Sequence, residues 1–285
     1  MVVAEPRPWR TAAFFDVDRT VVRGSSMTAL AGPLWRAGLL PGRSLLQAAV
    51  RGLQFSARGF SETEVQQSVR SIGDAVRGME VARLRRVAER AVPRVLGPRL
   101  YAEALDLIAW HRRRGHLIFL VSASTHELID RLGGIVGADG VVASEAEIVG
   151  GRYTGMVALC HGSAKVAAVR RLAAAHRVDL ESSFAYGDAV GDIPMLQAVG
   201  HPTTVNADRR LSATARRNGW PQLRFRSPDR WSWLTGPPWP ATSGWMTAPP
   251  RGRDLSWLST ASRRGEGVDT LVAVESPAEG ASTIA

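Results

Sequence analysis

The stretch Ala12-Ala13-Phe14-Phe15-Asp16-Val17-Asp18-Arg19-Thr20 decides how the rest of the chain is read. Its short apolar run, closed by polar residues, suits a strand buried on both faces of a parallel sheet. The two aspartates stand one residue apart, so if the extended pattern continues both carboxylates leave on the same side. Three further segments repeat the arrangement. Leu117-Ile118-Phe119-Leu120-Val121 ends in Ser122, Ser183-Phe184-Ala185-Tyr186 ends in Gly187-Asp188, and Pro202-Thr203-Thr204-Val205 ends in Asn206. Helical spacing fills the gaps: residues 99–114 carry Leu100, Ala104, Leu105 and Ile108, and residues 163–176 carry Val166, Val169, Leu172 and Ala173. Strand and helix in alternation predict an α/β fold with a doubly wound parallel sheet, whose site gathers where loops leave the carboxyl ends of the strands. Asp16, Ser122 and Asp188 all fall at such ends.

Working outward, residues 25–94 interrupt the first crossover with helical patterns at 27–37, 43–53 and 79–92 and no strand signal. A crossover needs only about 10–12 residues, so the surplus predicts a separate helical cap. Residues 140–154 read as a β-hairpin turning at Gly150-Gly151. Beyond 225 the chain is rich in Pro, Gly, Ser and Thr and holds Trp231, Trp233, Trp239, Trp245 and Trp257; prolines at 237, 238, 240, 249 and 250 oppose helix or central strand. The expected organisation is a catalytic core over 1–24 and 95–225, a helical cap over 25–94, and an extended or disordered tail over 226–285.

Composition narrows the classes. The 285 residues are 45% hydrophobic and 22% charged, which fits a globular chain and excludes a wholly disordered or fibrous one. Cys160 is the single cysteine, so no intramolecular disulfide forms, and the six histidines show no ligand spacing. No apolar run reaches the ~18 residues of a membrane span and no leader-type segment opens the chain, so the expectation is a soluble, cytoplasmic protein. The net charge of +10 invites a polyanion-binding reading, yet no nucleic-acid module accompanies it. The expected cap carries eleven arginines against five acids; Arg83, Arg85, Arg86, Arg90 and Arg94 read most simply as the solvated face of an amphipathic helix. Of the 36 basic residues all but Lys165 are arginine.

Four signals stand in fixed order: Phe14-Phe15-Asp16-Val17-Asp18-Arg19-Thr20, then Leu120-Val121-Ser122, then Lys165 early in a helix, then Gly187-Asp188-Ala189-Val190-Gly191-Asp192. In that order the chain resembles the haloacid dehalogenase-like (HAD) superfamily, and within it subfamily IB, the phosphoserine-phosphatase-like members with a helical cap between the first two motifs. The resemblance covers residues 12–225.

The residues themselves support the chemistry. Asp16 at a strand end can present a carboxylate oxygen to phosphorus and form an aspartyl-phosphate. Asp18 can protonate the leaving alkoxide and later deprotonate water. Asp16, Asp18, Asp188 and Asp192 beside a phosphate demand a counter-cation, and an all-oxygen set points to Mg²⁺. The resemblance implies that Asp16 and Asp188 ligate through side chains and Asp18 through its carbonyl, while Asp192 supports the water shell. Lys165 then supplies a compact positive charge to the nucleophile and phosphoryl oxygens, and Ser122 donates a hydrogen bond there. A planar guanidinium would need more room and another approach, which fits the retention of a solitary lysine.

Three departures from the family pattern occur, the second and third of which bear on substrate. Arg19 stands where many relatives have Gly, Ser25 where phosphoserine phosphatases carry a Glu for the substrate amino group, and Ala123-Ser124 where Gly-Gly is usual. The expectation is a Mg²⁺-dependent phosphomonoesterase acting on a small phosphorylated metabolite, phosphoserine being one candidate. Two alternatives stay open: phosphotransfer to an acceptor alcohol from the same site, and a non-catalytic basic protein binding nucleic acid or anionic lipid. The sequence sets no oligomeric state.

Overall fold

A computed structural model describes residues 9–40, 70, 73, 74 and 76–226. Strand β1 (Ala12–Asp16) is buried along its whole length. Its side chains alternate between two cores: Ala12 and Phe14 face one, Ala13 and Phe15 the other. That two-sided burial explains why the run is apolar throughout rather than alternating. Around it assembles a seven-stranded sheet in the order β4-β3-β2-β1-β5-β6-β7, with β2 Leu117–Thr125, β3 Gly140–Val149, β4 Arg152–Ala158, β5 Phe184–Gly187, β6 His201–Val205 and β7 Gln222–Leu223. All pairings are parallel except β3 with β4. The chain winds outward from β1 through β2 to β4, then returns to lay β5 on the other flank of β1. The reversal at β1/β5 is where a doubly wound sheet opens a crevice.

The hairpin β3–β4 turns at Gly150 (φ 57°) and Gly151 (φ 76°). Two successive left-handed residues are what a tight two-residue hairpin turn requires, and glycine takes them without a Cβ penalty.

The described helices are α1 (Ser26–Arg36), α2 (Val81–Val95), α3 (Ala102–Arg113), α4 (His126–Val136), α5 (Ser163–His176), α6 (Ile193–Gln197) and α7 (Arg209–Asn218). α5 falls on the predicted residues. α3 begins three residues later than the spacing predicts, because Arg99 O accepts from Arg23 N–H and Tyr101 N–H donates to Val21 O. The loop after β1 has taken the backbone groups that a longer helix would use.

α2 buries Val81, Leu84, Ala88, Ala91 and Val92 on one face. Arg83, Arg85, Arg86, Arg90 and Arg94 lie exposed on the other, the amphipathic arrangement expected of them. Leu30 and Leu34 of α1 and Leu84 and Val92 of α2 join the hydrophobic cluster that contains Phe15, Ile118 and Leu120 of the sheet. The helical stretch expected at 43–53 lies outside the described residues, as does the tail from 227 onward. Among the described residues no helix is long and apolar enough to cross a membrane.

Candidate active site

Sheet register brings the motifs to one edge. Asp16 is level with Val121, and Phe15 with Tyr186. Asp16 closes β1 and Asp188 follows β5, whereas β2 runs past Ser122 to Thr125, so Ser122 sits beside the end of β1 but inside its own strand rather than at its end. Asp192 arrives from a single 3-10 turn, Val190–Asp192, directly after β5. Gly187 lets it approach: a Cβ at 187 would lie 2.6 Å from Asp192 Cβ and 2.8 Å from its Cγ. Asp192 Oδ2 accepts from the backbone N–H of Asp188 (3.0 Å) and Ala189 (3.1 Å), which locks the turn.

Lys165, in the first turn of α5, is 4% exposed and reaches the same point. Its Nζ donates to Asp16 Oδ1 at 2.5 Å and to Asp192 Oδ1 at 2.6 Å. Burial alone would lower this ammonium, but the charges of Asp16 and Asp192 outweigh it and raise its pKa. One cation is thus held between two carboxylates in a dry pocket.

Oxygens of Asp16, Asp188 and Asp192 lie within 4.8 Å of one another. Burial, then the charge of Asp192, pushes Asp16 up to about 7 against the pull of Lys165. Asp188 is raised too, by burial and then by Asp16 and Asp192, with Arg19 opposing. Asp16 Oδ2 is buried without a hydrogen-bond partner, and Asp188 Oδ2 accepts none either. A group of hard oxygens, crowded by like charge and with lone pairs to spare, fits an oxygen-seeking divalent cation. Asp16 Oδ2 is open to hold it and Asp188 Oδ2 faces only the guanidinium of Arg19, whereas both oxygens of Asp192 are engaged by Lys165 and the backbone.

Asp18 is half-buried, with Oδ1 accepting from Ser26 N–H at 2.9 Å. Burial raises its pKa while hydrogen bonding from Ser26 opposes. Ser122 is buried, and its Oγ accepts from Ser124 N–H at 3.1 Å, which leaves its own proton to donate. The structure therefore gathers Asp16, Lys165, Asp188 and Asp192 directly, and places Asp18 two residues beyond the end of β1 and Ser122 within the neighbouring strand β2.

Further groups escaped the sequence reading. Arg19, noted only as a departure from Gly, adopts φ 60° and places Nε 2.5 Å from Asp188 Oδ2. Asn206 at the end of β6 donates from Nδ2 to Arg19 O at 2.9 Å and accepts from Phe225 N–H at 2.9 Å. Asp208 caps α7 by accepting from Leu211 N–H (2.8 Å), while its own N–H donates to Asp188 O (2.9 Å). The position of Asn206 at a strand end was the available signal, since Asn both tolerates left-handed backbone and hydrogen-bonds locally.

A parallel sheet opening at β1/β5 over a lysine-bridged aspartate cluster defines a hydrolase site of the HAD type. Residues 13–197 match the family model for haloacid dehalogenase-like hydrolases. The chain is 37% identical over 220 residues to a probable phosphatase of Mycobacterium tuberculosis strain H37Rv, covering 77% of each. It is 31% identical over 218 residues to a phosphoserine phosphatase of the same organism, covering 75% of this chain and 71% of that one. Among solved structures, a protein of unknown function from Bordetella pertussis Tohama I aligns with a TM-score of 0.64 at 25% identity, over 76% of this chain and 99% of that one. A phosphoserine phosphatase solved as a phospho-aspartyl intermediate analogue aligns at 0.55 and 19% identity, over 76% and 94%, a likeness of fold. The chain belongs to the haloacid dehalogenase-like hydrolase family and is a phosphoserine-phosphatase-like member of it.

Proposed function

We propose that the protein is a Mg²⁺-dependent phosphomonoesterase working through an aspartyl-phosphate on Asp16. The observation that carries this reading is the Asp16 carboxylate itself, with Oδ1 fixed by Lys165 and Oδ2 buried without a partner. Lys165 fixes the orientation of the carboxylate at the strand end, which is the pre-organisation a nucleophile needs. Asp16 attacks phosphorus as the bond to the alcohol oxygen breaks, and Asp18 gives its proton to that oxygen. Water then attacks the acyl-phosphate, Asp18 takes its proton, and inorganic phosphate leaves with Asp16 restored. A group that must hold a proton and return it is served by the upward pressure that burial puts on Asp18.

Lys165 and the Ser122 hydroxyl donate to the phosphoryl oxygens. The cation's residues are Asp16 and Asp188 through side chains and Asp18 through its carbonyl, with Asp192 supporting its water shell; when bound, Mg²⁺ supplies the charge that lets a phosphate approach the carboxylates. Residues 25–94 serve as the cap over a core of residues 1–24 and 95–225. The substrate is a small phosphorylated metabolite. Phosphoserine is a candidate through the names of the relatives, although the Ser25 hydroxyl already accepts from Thr28 N–H at 3.4 Å to cap α1.

The test is hydrolysis of p-nitrophenyl phosphate with and without Mg²⁺ by the wild type and Asp16→Asn. Turnover should need the metal and vanish in the variant; equal turnover by both proteins refutes the proposal. Phosphoserine and other small phosphate esters then rank the substrates.

A further inference from the structure

We infer that Arg19 sets the affinity of the site for its cation, by occupying Asp188 when the cation is absent and being driven from it when the cation binds. This rests on the Mg²⁺ reading above and adds to it a role for a side chain outside the family pattern.

The backbone supplies the first reason. At φ 60°, Arg19 occupies left-handed space, which is sterically unfavourable for a residue with a Cβ. The turn is held there from three sides. Arg19 N–H donates to Val22 O at 2.7 Å and to Gly24 O at 3.2 Å, and Asn206 Nδ2 donates to Arg19 O at 2.9 Å. Glycine would make the same turn without the steric cost, so the presence of a long cationic side chain calls for a compensating contact.

That contact is Asp188. Arg19 Nε lies 2.5 Å from Asp188 Oδ2, and the Arg19 side chain is 25% exposed against 5% for Asp188. The guanidinium therefore reaches inward from the rim and keeps a route back to solvent. The contact joins a partly exposed guanidinium to a buried carboxylate as an ion pair at the rim of the site. Lys165 is committed to Asp16 and Asp192. Arg19 thus neutralises the third carboxylate of the cluster.

A divalent cation on Asp188 would meet the guanidinium at close range. Part of its binding free energy must be spent moving Arg19 outward or tolerating the repulsion. Arg19 thus removes one negative charge from the metal-free site, and the cation is held less tightly than the same carboxylates with Lys165 alone would hold it. Where glycine occupies this position, that competitor is missing.

The experiment is calorimetric titration of Mg²⁺ into metal-free wild type, Arg19→Gly, Arg19→Asn, Arg19→Lys and Asp188→Asn, paired with the rise in Tm that a fixed Mg²⁺ concentration produces. Gly and Asn both accept the left-handed turn, which protects the fold. Both should bind Mg²⁺ about tenfold more tightly and show a larger Mg²⁺-induced rise in Tm, since affinity and stabilisation are linked. The Lys variant keeps the charge and should stay near wild type. Affinity unchanged or weakened in both neutral variants, or tightened in Gly alone, overturns the inference while leaving the metal site standing. Equal Mg²⁺ binding by wild type and Asp188→Asn would remove the metal site, and this inference with it.

Discussion

His111 gives the fold a calculable sensitivity to acid. It projects from α3 with no exposed surface, its Nδ1 2.9 Å from His116 Nδ1 and its Nε2 2.8 Å from Tyr186 Oη. Rings of Phe15, Trp110 and Phe184 pack around it. Burial, with the charges of His116 and Arg114 adding, holds its pKa down to about 3 from an ordinary 6.5. Between those values the unfolded chain carries a proton at this residue and the folded chain does not. Stability must therefore fall as pH drops through that window, by about 1.4 kcal/mol per pH unit once well below 6.5. Between pH 7 and pH 5 the loss is roughly 2 kcal/mol, a sizeable share of the stability of an ordinary domain. The carboxylates of Asp16, Asp18 and Asp188 act oppositely, because raised pKa values favour the folded state as pH falls. A direct pH scan would mix the two. Comparing wild type with His111→Gln cancels the carboxylates, which both proteins share. Urea unfolding followed by circular dichroism should show wild type the more stable at pH 7, through its aromatic packing, with the gap narrowing by about 2 kcal/mol at pH 5. A gap that stays constant with pH would show that His111 does not carry the titration.

Two substitutions probe the cluster. Lys165→Arg should lower kcat by on the order of 100-fold with any phosphate ester, because the planar fork cannot reproduce two short bonds from one nitrogen in so closed a space; near-normal kcat in a folded variant would contradict this. Gly187→Ala forces a methyl group against Asp192 and should cost about 1–3 kcal/mol in thermal unfolding as the Asp188–Asp192 turn shifts, whereas an unchanged Tm would mean the turn yields freely.

The sheet was legible because its central strands are buried on both faces. β1 and β2 carry uninterrupted apolar runs, and polar residues appear where the strands reach the crevice, so Asp16, Ser122 and Asp188 could be placed from pattern alone. Lys165 was legible for a different reason: in a chain built on arginine, a position requiring a compact ammonium stands out. The start of α3 was not, since its first expected turn is decided by hydrogen bonds to residues 21–23, nearly eighty positions earlier. His111 gave no signal, because a histidine on a helical face looks the same whether it meets water or Tyr186. Arg19 shows where local reading reaches its limit. The sequence marks it as a substitution for glycine in a tight turn, which by itself reads as a backbone defect. Only the approach of β5, the lock supplied by Asn206 from β6, and the commitment of Lys165 elsewhere turn that defect into a charge facing Asp188. The chemistry of the site is written in residues adjacent to strands, whereas the tuning of its charge depends on which strands become neighbours.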